Sequence, residues 1–333
     1  MSREMAGDQG GVRSAAILAI VAAFLWSTYF FFVLALEGAV APSALIFYPF
    51  VVGGLGYLGW CLYQGHGRAF LELWKEPEAW ARVLLLVLMQ VAVLASTYLV
   101  GPVDTSLLSL VGDVVLAPLL LMLLFRQGRE HARSRPFIAG LLLSVGGATL
   151  TIVGGQTIAP VNGWGLLVVL VVPFSVALYF ISAARESLRR PTSAVVAQAT
   201  VGAAIVSGLI LPVLPGGLPA LVIPDPTSVL LVVGLGLVTF LIAPLLYFES
   251  VQRGGLILAS MMMATVPVFT LLIDTLFREK FPPWLALLGV PLAFAGALLA
   301  IQGPHAPWTP EYREDLERER RGEEGPPTPT EIP

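Results

Sequence analysis

The chain has 333 residues, of which 56% are hydrophobic and only 12% charged, with a formal net charge of −3 and a mean hydropathy of +0.83. Soluble domains carry about 25% charged residues, so this composition excludes an ordinary soluble fold, and without a basic soluble domain nucleic acid is excluded as a partner. The single cysteine, Cys61, lies inside an apolar run, which leaves no intrachain disulfide and no cysteine-based metal site.

In chain order, residues 1–14 are a short polar lead of mixed charge. Ala15 to Leu36 is then an apolar run of 22 residues, enough to cross a hydrocarbon core of about 30 Å at 1.5 Å per residue. It exceeds the apolar core of a signal peptide, and Pro42 would follow a cut at Ala39-Val40-Ala41, so a cleaved leader is rejected. Nine further spans are predicted: Ala44 to Tyr63, Trp80 to Val100, Thr105 to Phe125, Pro136 to Val153, Trp164 to Ala184, Ser193 to Leu214, Thr227 to Tyr247, Leu256 to Phe277 and Pro283 to Ile301. Gly101-Pro102, Pro160 to Gly163, Pro215-Gly216-Gly217 and Pro224 to Pro226 punctuate them with turn-forming clusters. Residues 303–333, dense in Glu and Arg and then in Pro, read as a solvated, disordered cytoplasmic tail.

The chain repeats itself. Leu119 to Gln127 laid over Leu271 to Glu279 agrees at five of nine positions, including the closing Phe-Arg, and Gly140, Ser144 and Ala148 fall on Gly289, Ala293 and Ala297. Small residues at every fourth position let two membrane helices approach closely, so spans five and ten are read as packing elements, either against each other or as a homodimer contact. The units are 15–153 and 164–302, joined by a linker at 154–163.

Counting Lys and Arg loop by loop gives orientation, since they accumulate on the cytoplasmic side. With the N-terminus inside, 17 of the 19 fall on inner segments and only Arg278 and Lys280 lie outside. Ten spans with both termini cytoplasmic follow. A repeated unit of five helices must re-enter the membrane upside down, so the fold class expected is all-α integral membrane, as two inverted five-helix repeats. Inverted repeats are a common secondary-transporter architecture, with the binding site near the midplane between the halves.

These features resemble the EamA-type members of the drug/metabolite transporter superfamily: two five-helix copies, Pro267, the Leu-Phe-Arg-Glu hinge at Leu276 to Glu279, Gly289 and Gly296 in the last span, and the Phe24 to Thr28 block in the first. The resemblance implies a membrane transporter of small metabolites working by alternating access, often an exporter.

Among candidate site residues Asp113 stands out, because a carboxylate about 12 Å into span four costs at least about 2.5 kcal/mol on insertion scales. It reads as a site for a cationic group or as a proton-coupling carboxylate, against the plainer reading of a hydrogen-bonded structural residue. Gln90 reaches similar depth from span three. Trp26, Ser27, Ser175, Tyr179, Thr239 and Met262 complete the expected lining, with Met packing supplying adaptability. Pro118 and Pro267 are read as kinks that free backbone carbonyls. Asp104, ahead of Thr105-Ser106, reads as a helix N-cap. Asp274 and Arg278, at i,i+4 spacing, are an ion pair or gate near the outer surface.

No span interior holds a Lys or Arg on this reading, so the cargo is expected to be neutral, zwitterionic or weakly cationic, such as an amino acid or amine. The partners expected are that small-molecule substrate and the lipid bilayer of the cytoplasmic (cell inner) membrane, with no cofactor and no metal. The three histidines lie in loops and no nucleotide or H-E-x-x-H pattern occurs, which argues against an enzyme. A membrane sensor or lipid-handling protein on the same scaffold is the alternative.

Overall fold

The computed structural model describes residues 2–117, 120, 134–154, 163–213, 217–278 and 284–300, and these are helical, with no strand among them. The helices are α1 (Ser2–Ala35), α2 (Pro42–Tyr63), a short α3 (Gly67–Leu73), α4 (Pro77–Val100) and α5 (Pro102–Leu110), which continues into a π-helical turn, Val111–Leu116. After the undescribed 121–133 come α6 (Arg135–Gly154), α7 (Gly163–Arg189), α8 (Thr192–Ile210) and α9 (Pro226–Leu237), the last running into a second π turn, Val238–Ile242. Then follow α10 (Ala243–Met262), a 3₁₀ turn at Met263–Thr265, α11 (Val266–Arg278) and α12 (Trp284–Ala300).

Seven segments among the described residues are long and apolar enough to cross a membrane: Arg13–Ala35, Pro42–Tyr63, Pro77–Val100, Leu170–Ser187, Thr192–Val213, Pro226–Leu256 and Leu258–Phe277. They fall on seven of the ten predicted spans. Two more expected spans appear as the shorter apolar helices Arg135–Gly147 and Leu287–Gly296. The remaining one, Thr105 to Phe125, runs from α5 and its π turn into residues outside those described, as do Pro118 and the tail at 303–333.

The breaks between helices have identifiable causes. Gly101 joins α4 to α5 at φ 92°, ψ 168°, and Gly255 divides α10 at φ 81°, ψ 166°. This region is essentially open only to glycine. The two corners have the same shape, one between the third and fourth predicted spans and one between the eighth and ninth. Because α5 already starts at Pro102, Asp104 lies within its first turn, buried, and is not the N-cap. There its carboxyl sits where a helix macrodipole favours negative charge.

The helices pack in pairs that mirror one another. α4 lies on α7 as α1 lies on α10; α8 lies on α4 as α2 lies on α9; the π turn after α5 lies on α7 as α11 lies on α1. Closest of all is α6 against α12. A Cβ on Gly147 would stand 2.3 Å from the Ala293 nitrogen and 2.5 Å from the Gly289 oxygen, and one on Gly296 would stand 2.4 Å from the Ser144 nitrogen and 2.6 Å from the Gly140 oxygen. The register that lays Gly140 on Gly289 and Ser144 on Ala293 also lays Gly147 on Gly296, so the contact is reciprocal. Ser144 Oγ adds a hydrogen bond to the Ala293 carbonyl at 2.9 Å. The two small-residue stripes therefore face each other within one chain.

One end of the bundle is tied by polar contacts. His66 Nδ1 meets Ser193 Oγ at 2.8 Å, Arg253 donates to Ser14 at 3.4 Å and pairs with Glu249, and Arg190 pairs with both Glu76 and Glu186. We refer to this as the arginine-rich end. Elsewhere, Asp225 caps α9, its carboxylate accepting from the Ser228 backbone N–H at 2.9 Å and hydroxyl at 2.7 Å. These bonds hold its pKa below the ordinary aspartate range.

Two outcomes follow for stability. Gly147→Ala sets a methyl against backbone atoms that cannot swing away, so it should destabilise by about 1–3 kcal/mol, read as a lower midpoint in denaturing-detergent titration. Asp225→Ala should be less stable than the parent at neutral pH. Because the folded-state pKa is the lower one, that gap is full above an unfolded value of about 4 and closes as pH falls through the folded value; melting curves from pH 7 to 3 measure it.

Candidate functional site

Prolines shape the centre of the bundle by removing N–H donors. In the second π turn Ala243 donates to the Val238 carbonyl, five residues back. The next donor in that register would be residue 244, a proline, so the Thr239 carbonyl is left over. Trp26 supplies the missing bond, its indole Nε1 donating to Thr239 O at 3.0 Å. The first π turn is built alike: Ala117 donates to the Gly112 carbonyl, and position 118, which would serve Asp113, is also proline in the sequence. Pro267 acts differently. With no N–H at 267, the Met263 carbonyl is served instead by Val266, three residues on, which tightens the chain into the 3₁₀ turn.

These irregular turns surround a cavity of about 120 Å³. α1 lines it with Trp26, Tyr29 and Phe30, α4 with Leu86, Met89 and Gln90, and α5 and its π turn with Ser109 and Asp113. From the second half of the sequence come Tyr179 and Phe180 of α7, Thr200 of α8, Thr239 and Phe240 of the second π turn, and Met263. Behind this wall Trp26, Phe180 and Tyr247 form an aromatic cluster with ring centroids 4.8–5.5 Å apart, in the range where ring pairs attract.

Most polar groups on the wall are already engaged. Thr239, Thr200 and Ser109 return their hydroxyls to Leu235, Val196 and Thr105 carbonyls of their own helices, and Gln90 Nε2 donates to Tyr29 Oη at 3.0 Å. Asp113 is different: it is 6% exposed and its Oδ1 has no hydrogen-bond partner. A buried polar atom without a partner is uncommon in a folded protein, and here it belongs to a residue that lines a cavity.

Of the residues expected to line a site, Trp26, Gln90, Asp113, Tyr179 and Thr239 meet around this one cavity. Ser27, Ser175 and Met262 do not. Ser27 Oγ turns back to the Ala23 and Phe24 carbonyls, Ser175 Oγ to Val172, and the neighbouring Met263 takes the place of Met262. Gln90 reaches Tyr29, where sequence depth alone paired it with Asp113. Asp274 lies half-buried on α11, near where Phe277 packs on Phe31 at 4.4 Å between ring centroids; the side chain of Arg278 lies outside the described residues. Tyr29 and Phe30 went unnamed, although their i+3 and i+4 spacing from Trp26 puts all three on one helix face.

One correction concerns charge. Arg82, counted as a loop residue from sequence, is inside α4 and only 2% exposed. The rule that no span interior holds a basic residue fails there.

Trp26→Phe keeps the ring contacts but strips the donor from the Thr239 carbonyl. It should cost about 1–3 kcal/mol, seen as a lowered Tm in detergent; an unchanged Tm would mean that carbonyl needs no indole.

Comparison with known proteins adds three findings. Residues 163–302 match the EamA-like transporter family. A solved crystal structure superposes with a TM-score of 0.66 over 86% of this chain and 96% of that chain at 22% identity, so the fold is shared. No curated protein matches the chain in sequence.

Proposed function

Residues 163–302 match the EamA-like transporter family, and from that premise we propose that the chain is a secondary active transporter exporting a small amino acid or amine by alternating access. On this reading it is a multi-pass protein of the cytoplasmic membrane, with ten spans, two inverted five-helix repeats and both termini in the cytoplasm. The mirrored helix pairs, the two matching glycine corners and the reciprocal α6–α12 contact support the inverted arrangement.

The observation that carries the cargo is the buried Asp113 carboxyl, whose Oδ1 has no hydrogen-bond partner, on the wall of a cavity lined by both halves of the sequence. A buried carboxylate calls for a cation or a proton. An ammonium group on the cargo satisfies it, and the aromatic residues Trp26, Tyr29 and Phe180 line the same cavity. When the site is empty a proton takes that place, which couples transport to the pH gradient. The cavity lies below the several hundred Å³ of drug-sized pockets, in keeping with a small solute. Asp274 and Arg278 are assigned to the gate at the end opposite the arginine-rich one.

Proteoliposome counterflow with labelled amino acids and amines tests the transport itself; no exchange across the panel would sink it. Under an imposed pH gradient the parent should accumulate solute at least about tenfold above Asp113→Asn, a difference of about 1.4 kcal/mol in driving free energy. Equal gradient dependence in both would remove Asp113 from coupling.

A further inference from the structure

Arg82 is the charged group that the proposed function leaves without a task. Its Nη1 donates to the Ser182 carbonyl at 3.3 Å, while Nε and Nη2 are buried without partners. Those two N–H groups form the side edge of the guanidinium, the fork that meets both oxygens of a carboxylate. Leaving such an edge without a partner in a protein interior is costly.

The neighbouring carboxylates do not fill it. Glu76 and Glu186 both lie within electrostatic reach of Arg82, yet both are held by Arg190, Glu186 Oε1 at 2.7 Å from its Nε. Glu78 is exposed in the first turn of α4.

Position matters as much as chemistry. Arg82 stands one helical turn before Leu86, which lines the cavity, and its bond to Ser182 falls one turn beyond Tyr179, which also lines it. On both helices, then, it lies about 6 Å below the cavity wall, on the side of the arginine-rich end. Other unpartnered buried atoms share the helices of this layer: Tyr57 Oη, Ser187 Oγ, Gln198 Oε1 and Ser250 Oγ. Gln198 also donates to the Ala79 carbonyl, three residues before Arg82, at 3.4 Å.

We infer that Arg82 is a specificity residue for a carboxylate on the cargo, standing on the route between the cavity and the arginine-rich end. The inference rests on the transport reading above and narrows it: of neutral, zwitterionic and weakly cationic solutes, the zwitterion is selected, its ammonium held at Asp113 in the cavity and its carboxylate taken by the Arg82 fork in a second step, as the route opens and the solute moves along it. Glu76, Arg190 and Glu186 close that route at its mouth, and the unpartnered hydroxyls and amide oxygen are the groups that water meets when it opens.

The test uses the full chain in lipid nanodiscs, with a panel of L-amino acids and the matching L-amino-acid carboxamides as probes. At least one acid should raise the Tm of the parent where its carboxamide does not, and Arg82→Gln should abolish that difference. Arg82→Lys keeps the charge and lacks the fork, so it should bind the same acid at least about tenfold more weakly; it carries the test should Arg82→Gln fail to fold. Acid and amide shifting the parent alike, no acid shifting it, or a preference that survives in the folded variant would each overturn the inference. An acid that stabilises the parent through Arg82 but never exchanges in counterflow would leave the fork standing and remove transport instead.

Discussion

Backbone hydrogen bonding in a bundle of apolar helices constrains everything else in this molecule. In a hydrocarbon environment no water is present to serve a carbonyl that loses its N–H. Prolines at positions 118, 244 and 267 of the sequence each remove a donor, and two of the losses are met in different ways. Trp26 reaches across from α1 to the Thr239 carbonyl, and Val266 steps in for residue 267 by tightening the turn. At Asp113 the π ladder offers no donor from position 118. The cavity thus lies where the helices are least regular, a placement that suits ligand contact, because broken turns expose polar backbone that a straight helix hides.

Much of the architecture was legible in the sequence. Seven of the apolar runs of bilayer length fell on the seven helical segments long enough to cross a membrane, and the four-residue spacing of Gly140, Ser144, Gly289 and Ala293 marked the closest crossing. Spacing could not say whether those stripes meet within one chain or between two, because a helix face records only that something comes near. The reciprocal seating of Gly147 and Gly296 gives the answer inside the chain.

The site was legible in part, and the misses have a common physical origin. Depth along a span can be counted from sequence, which brought Gln90, Asp113, Tyr179 and Thr239 to one level. Rotation about the helix axis cannot be counted once a π turn has shifted the register, and hydroxyls readily return to their own helix. Ser27 and Ser175 were lost that way. Arg82 was missed for another reason: four residues after Glu78 at a helix start, it reads as a solvated residue. Only the packing of α4 on α7 and α8 shows that it is enclosed.

The paired glycine corners carry a consequence for substitution. Gly101 and Gly255 hold backbone shapes within about 11° of each other in φ and 2° in ψ, in a region that other residues avoid, and each is the sole link between two long rods. Both parts of the chain thus turn the same elbow on a residue without a side chain, so a Cβ added at either one would meet the same backbone penalty.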